Sequence, residues 1–304
     1  MVKKYTYKKL TWVDLFKPTQ EEVRQIMDEY EIHPNVANEL ITPNFKPKVD
    51  LHKNFIYLIL HFPAIKHSNE GEVNQEVDFI IGKDFIITSR YDTIDAIHKF
   101  SKVFEVSSTL EKGIVNENAG ELFFLILSKL YASVFHELEY IEDSLEKTES
   151  KIFQGEEKMM VQELSNIGRD LLNLKQATNS HREVLESLQE LGGEFYDEEF
   201  AHQMDVVIKE FGRLRHGIEI NRESLNELRD TNDSLLSTKQ NETMMVLTIM
   251  AFVTFPLSLL ASIFGMNTSH MPLVGQQNDF WMVIGIMSLL TILFFLFFKY
   301  KKWL

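Results

Sequence analysis

The sequence predicts three parts in order: an α+β N-terminal domain, a stretch of long coiled-coil-like helices, and a two-helix transmembrane hairpin. Three observations carry this reading. Met244 to Phe264 and Phe280 to Phe298 are runs of 21 and 19 residues without Asp, Glu, Lys, Arg or His. From Glu121 to Asn241, apolar residues recur at steps of three and four, the period of a helix packed along one face. Ahead of them, short apolar runs separated by turn residues fill the first part of the chain. The resulting division is 1–115, 116–240 and 241–304.

The average composition conceals this arrangement. Hydrophobic residues make up 44% and charged residues 25% of the 304, which taken alone resembles a water-soluble protein. Charge and apolarity are instead segregated along the chain. At ~1.5 Å rise per residue, each uncharged run is long enough to cross a hydrocarbon layer of ~30 Å. The net charge of −14 argues against nucleic acid as a partner. The absence of cysteine excludes disulfides, thiolate metal sites and cysteine catalysis. Met1 to Leu10 is polar and basic, unlike a cleaved leader.

Within the N-terminal part, Tyr5, Tyr7 and Leu10 begin a strand-like stretch. Thr19-Gln20-Glu21-Glu22 has the spacing of a capping box opening an amphipathic helix. Val49 and Leu51 alternate with charged residues, and Phe55 to Leu60 reads as a buried strand. Val77 to Ile81 and Phe85 to Thr88 flank Gly82-Lys83-Asp84, which predicts a hairpin, and a helix is expected from about Thr93 to Val106.

The helical part carries two long stripes. Leu164, Ile167, Leu171, Leu174, Thr178, His181, Leu185 and Leu188 alternate steps of three and four, the pattern of one helix ended by Gly192-Gly193. Met204, Val207, Phe211, Leu214, Ile218, Asn221, Leu225, Leu228, Asn232 and Leu235 form the second. Only Pro256 breaks helical character between Phe200 and Phe264, so a single helix is expected to continue into the first uncharged run. Both stripes read as ordinary packing faces.

Fifteen residues, Gly265 to Asp279, join the two spans, so both flanks lie on the same side of the membrane. That loop holds no Lys or Arg, whereas Lys239, Lys299, Lys301 and Lys302 flank the hairpin. The excess of positive charge places both termini in the cytoplasm of a cell-membrane protein. Span two is rich in Ile, Leu and Phe and suits lipid. Span one carries Thr248, Thr254, Ser258, Ser262 and Pro256, and small or polar residues there serve close packing or a wet pathway. Stepping from Asn241 through Met244, Leu247, Ala251, Phe255, Ser258 and Ser262 gives a stripe that is apolar at its inner end and polar at its outer end. One hairpin cannot enclose a pore, so a transport reading requires several copies with this stripe facing an axis.

Phe264-Gly265-Met266-Asn267, with Met271-Pro272 shortly after, resembles the CorA family of divalent-cation transporters, whose hallmark is a Gly-Met-Asn triplet at the outer end of the first of two C-terminal spans. The likeness runs through Asn241 to Asn267 and the final Lys-Lys-Trp-Leu. The resemblance implies an α/β/α head, a funnel of stalk helices and a homopentamer whose first spans line a central pore. It also implies a filter built from Gly265, Met266 and Asn267, and Mg2+ as cargo, with Zn2+, Co2+ or Ni2+ as the alternative. An asparagine ring offers carbonyl oxygens that can accept hydrogen bonds from a hydrated ion, which suits a cation that dehydrates reluctantly. Two departures are visible: Phe264 stands where members commonly have Tyr, and Leu273 where many have an acid.

Control is expected from the acidic head. Glu137, Glu139, Glu142, Asp143, Glu146 and Glu149 crowd one helix, for which a solvated face is the simpler reading. The resemblance implies intracellular cations bridging carboxylates between subunits, with Asp92, Asp95 and Asp205 as candidates. An enzyme is disfavoured: the ten histidines include no i,i+4 pair, and no phosphate loop, dinucleotide turn or nucleophile elbow occurs. His181 reads as a packing or hydrogen-bonding residue, and His270 as a possible soft-metal contact. A membrane-anchored scaffold remains the non-transport alternative.

Overall fold

The computed structural model describes residues 1–44, 46–63, 74–109, 118–266 and 278–303. The chain divides into two compact units, Met1–Arg229 and Asp230–Leu304.

The first unit is built on six strands: β1 (Val2–Tyr7), β2 (Leu10–Phe16), β3 (Lys48–Leu51), β4 (Ile56–Pro63), β5 (Asn74–Ile81) and β6 (Phe85–Arg90). Their order across the sheet is β1-β2-β6-β5-β4-β3. Only the central β2–β6 pair is parallel. The hairpin expected at Gly82-Lys83-Asp84 is the β5–β6 connection. Helices α1 (Gln20–Glu29) and α2 (Pro34–Glu39) follow β2 in the chain. The capping box forms as its spacing predicts: the Glu22 N–H donates to Thr19 Oγ1 at 3.3 Å and the Thr19 N–H to Glu22 Oε2 at 2.9 Å.

Strand alternation divides the core into two layers. Val13, Leu15, Tyr57, Ile59, Ile80 and Ile87 pack with Val23, Ile26, Val36 and Leu40 of the α1–α2 segment. On the other face Trp12 meets Phe100 and Phe104 of α3 (Asp95–Thr109), with ring centroids 5.8 and 5.7 Å apart. Phe79 meets Phe123 of α4 (Ala119–Phe153) at 5.3 Å. The arrangement is the expected α/β/α sandwich, and β4 to β6 are buried on both faces because helices cover both.

At the parallel seam lies an ion pair with little access to water. Arg90 donates from Nη2 to Asp14 Oδ2 at 2.8 Å and from Nε to Oδ1 at 3.1 Å. Thr88 Oγ1 donates to the same Oδ1 at 3.0 Å and itself accepts from Trp12 Nε1 at 3.1 Å. The fork geometry of the guanidinium and the hydroxyl relay satisfy the charge that burial would otherwise make costly.

Helices α4, α5 (Glu157–Thr178), α6 (His181–Phe195) and α7 (Glu198–Phe264) follow. The stripe from Leu164 to Leu188 is buried as expected, but it is shared by two helices that break at Asn179-Ser180. Side chains of Thr, Asn and Ser compete with the helix ladder for backbone groups, and the Thr178 hydroxyl does so by donating to the Leu174 carbonyl. Across the break His181 is fixed from both sides. Its Nδ1 accepts from the Tyr131 hydroxyl at 2.7 Å, and its Nε2 donates to the His61 carbonyl at 2.7 Å. Burial lowers its pKa to about 4, so the ring is neutral near pH 7 and this tautomer holds. The hydrogen-bonding role expected for His181 is the one it has.

Gly192 and Gly193 do not end their helix; α6 continues to Phe195. Gly192 is present for close approach. A β carbon there would lie 2.1 Å from the Phe200 ring, and one at Gly120 would lie 2.8 Å from the same ring. Phe200 therefore wedges the start of α7 between α4 and α6. Gly192→Ala should destabilise the first unit by about 1–3 kcal/mol through overpacking. Phe200→Leu should restore part of the loss in the double variant, measured by denaturant unfolding.

Beneath α2 the sheet carries polar groups that no hairpin pattern revealed. Glu76 and Asp78 alternate with Val77 and Phe79 in β5, and both acids are buried. The Tyr91 hydroxyl donates to Asp78 Oδ2 at 3.3 Å, and the Asn44 N–H donates to Glu76 Oε2 at 2.6 Å. Burial, and then the neighbouring charge of Glu76, push the Asp78 pKa well above its ordinary value. Lys48, Glu39, His61 and Tyr57 complete the surroundings. An acid that keeps its proton in the fold and loses it on unfolding costs stability as pH rises above its unfolded value of about 4. Asp78→Asn should therefore stabilise the protein more at pH 8 than at pH 5, and equal gains at both would contradict this account.

Candidate functional site: the membrane hairpin

Among the described residues, three helices are long and apolar enough to cross a membrane: α4, α7 and α8 (Asp279–Tyr300). Half of the most apolar stretch of α4 is buried inside the protein, against 6% for α7 and none for α8. The apolarity of α4 is thus spent on the sheet and the bundle, as with Phe79 on Phe123, whereas α7 and α8 leave their apolar stretches almost wholly uncovered.

In the second unit, α7 covers one stripe and leaves the opposite one open. Ile249 is buried and Val253, Pro256, Leu257, Leu260 and Phe264 are half-buried. On α8 the corresponding stripe is Val283, Met287, Leu290, Thr291, Phe294 and Phe298. The sequence-derived stripe behaves differently: Met244, Leu247, Phe255, Ser258 and Ser262 are exposed and Ala251 is half-buried. At 3.6 residues per turn its mean direction lies roughly 170° from the covered stripe of α7. Asn241 is exposed too, but roughly 80° off the stripe. One face of the first span is therefore used within the chain and the other remains available for a neighbour or for water.

Polar side chains in this span are arranged so that a helix in hydrocarbon can hold them. The hydroxyl of Thr248 donates to the Met244 carbonyl at 2.7 Å, and that of Thr254 to the Met250 carbonyl. Each hydroxyl is thus satisfied by its own helix. Pro256 lies inside the helix without ending it. Beside it a groove of about 520 Å³ is lined by Thr248, Ala251, Phe252, Phe255, Pro256 and Leu259.

At the outer end, the Gly265 N–H donates to the Ala261 carbonyl at 2.9 Å and the Met266 N–H to the Ile263 carbonyl at 3.2 Å. Gly265 does not adopt a positive φ. A β carbon there would instead sit 3.1 Å from the Ala261 carbonyl oxygen. The glycine relieves crowding at the helix end and is not needed for a left-handed turn. Gly265 and Met266 are exposed, while Asn267, His270, Met271, Pro272 and Leu273 lie outside the described residues.

Two of the three candidate regulatory acids, Asp92 and Asp205, have local partners. Asp92 Oδ1 accepts from the Thr93 N–H at 2.7 Å, and the Asp92 carbonyl accepts from Arg90 Nη1 at 3.3 Å. Asp95 stands in the first turn of α3, on a groove between α3 and α4 that also holds Lys99, Lys129, His136 and Glu137. Asp205 pairs with Lys209 one turn later at 2.6 Å. Among the described residues of a single chain, no three His, Asp or Glu side chains gather into a metal site. Glu139, Glu142, Asp143, Glu146 and Glu149 lie on the exposed face of α4.

An α/β/α head followed by long helices and an uncharged two-span hairpin defines a membrane ion transporter, not an enzyme. The chain belongs to the CorA-like Mg2+ transporter family, which it matches over residues 7–301. It is 28% identical over 297 residues to the cobalt/magnesium transport protein CorA of Thermotoga maritima, covering 97% of this chain and 83% of that one. The complete CorA magnesium transporter of Methanocaldococcus jannaschii superposes with a TM-score of 0.83 at 21% identity, over 99% of this chain and 94% of that one. The cytoplasmic domain of ZntB from Vibrio parahaemolyticus superposes with a TM-score of 0.62 at 14% identity, over 75% of this chain and 88% of that one.

Proposed function

We propose that this chain admits Mg2+ to the cell as a homopentamer, with both termini cytoplasmic and the first spans surrounding a pore. The observation that carries the reading is the open stripe Met244, Leu247, Ala251, Phe255, Ser258 and Ser262 opposite the covered face of α7. Its inner residues are apolar and form a dewetting gate; its outer serines hold water near the mouth. Gly265, Met266 and Asn267 form the outer filter, where amide oxygens accept hydrogen bonds from hydrated Mg2+. Inward movement of a divalent ion gains about 2 × 2.3 kcal/mol per 100 mV of inside-negative potential, so no nucleotide is needed to drive it. Asp92, Asp95 and Asp205 bridge cations across subunit boundaries and hold the pore closed when internal Mg2+ is high.

The same architecture supports Co2+, and more distantly Zn2+ or Ni2+, as cargo. The Thermotoga relative carries cobalt in its name, and the ZntB domain shares the head fold. Flux into liposomes, compared across the four ions, separates these readings. Asn267→Ala should reduce influx of the favoured ion at least tenfold; undiminished influx would remove the filter assignment.

Because the chain contains no cysteine, single-cysteine variants report without background. Cysteine at Leu247, Ala251 or Ser258 should react with a water-soluble thiol reagent and lose transport. Cysteine at Ile249 or Val253 should stay unreactive, and the reverse pattern would place the pore on the wrong face.

A further inference from the structure

The second span ends on a built turn. Lys301 caps α8, and Lys302 follows with a φ of 57°. The Lys302 N–H donates to the Lys299 carbonyl at 3.1 Å and the Trp303 N–H to the Phe298 carbonyl at 3.0 Å. Trp303 stacks on Phe298, with centroids 6.0 Å and planes 20° apart. These two hydrogen bonds and the ring contact form a Schellman motif, in which glycine is the usual left-handed residue. A lysine occupies that position here, so three ammonium groups are presented from a fixed turn instead of a frayed tail.

Directly before the turn, Ile292, Phe295, Leu296 and Lys299 line a groove of about 480 Å³ on one face of α8. That face lies roughly 140° around the helix from the covered stripe. Three apolar side chains leading to one ammonium match the layout of a phospholipid, with an acyl chain below and a phosphate above. No Asp or Glu follows Asp279 in the sequence. Among the described residues, Lys4, Lys48, Lys102 and Lys209 pair with carboxylates, whereas Lys299, Lys301 and Lys302 make no such pair.

We propose that this groove binds an anionic phospholipid, with Lys299 holding the phosphate and Ile292, Phe295 and Leu296 an acyl chain. The inference rests on the membrane reading of α8 but not on the identity of the cargo or the position of the pore. Lys301 and Lys302 add general attraction to an anionic surface, while Lys299 alone closes the groove. Removing one lysine from such a surface costs about 1 kcal/mol, close to fivefold in affinity.

The test is native mass spectrometry of the full-length assembly in detergent, titrated with phosphatidylglycerol or phosphatidylcholine of identical acyl chains. Wild type should retain phosphatidylglycerol preferentially. Lys299→Gln should lower that preference about fivefold, Lys299→Arg should restore it, and Lys301→Gln or Lys302→Gln should lower it less. Equal retention of the two lipids overturns the proposal. So does an equal effect from all three lysines, which would indicate diffuse attraction, or displacement by millimolar inorganic phosphate, which would assign the contact to the anion alone. Ion flux is not part of the readout, so failure here leaves the transport reading standing.

Discussion

A peptide group left without a hydrogen-bond partner in hydrocarbon costs several kcal/mol, and this constraint organises the C-terminal quarter of the chain. It allows helices and closed barrels, and two runs of 21 and 19 uncharged residues allow only helices. The threonine hydroxyls of the first span then bond back to their own helix. Gly265 keeps the last turn of the ladder uncrowded, and the carbonyls at the far end of α8 are taken by the backbone of the closing turn. What the helices cannot satisfy alone is the question of which face meets protein. The covered stripes of α7 and α8 answer it for one side of each.

The head solves a different problem, that of placing polar groups where water does not reach. Arg90 and Asp14 meet in a two-pronged contact supported by Thr88 and Trp12. His181 spends both ring nitrogens on Tyr131 and the His61 carbonyl, joining α4, α6 and β4 at one point. Asp78 remains costly, because burial and Glu76 both oppose its charge. The head thus combines two satisfied polar links with one costly carboxylate, all buried among apolar side chains of the core.

Much of this was legible in the residues. Charge-free runs located the two uncovered apolar helices, Thr19 and Glu22 announced the start of α1, and Gly82-Lys83-Asp84 marked the β5–β6 hairpin. The stripe from Leu164 to Leu188 was correctly read as buried but wrongly as one helix, because heptad spacing records which face is covered and not whether the backbone is continuous. Gly192 looked like a helix stop, since nothing in the linear chain announces that Phe200 will need its space. The burial of Glu76 and Asp78 was not legible, because alternation says which residues share a face, not what lies over it. The proposed pore stripe was legible as a pattern. Its meaning depends on contacts with other copies, which periodicity in one chain does not encode.

The parallel seam between β2 and β6 has a consequence for synthesis. Residues 11–16 pair with residues 85–90, so β2 must wait for a partner made more than seventy residues later. At about 5–20 residues per second on the ribosome, its second edge stays open for roughly 4–15 seconds. An open edge of this kind recruits other nascent strands unless something discourages them, and a charge pointing inward is one such deterrent. Asp14 sits in the middle of that edge, and the guanidinium that pairs with it arrives only with β6.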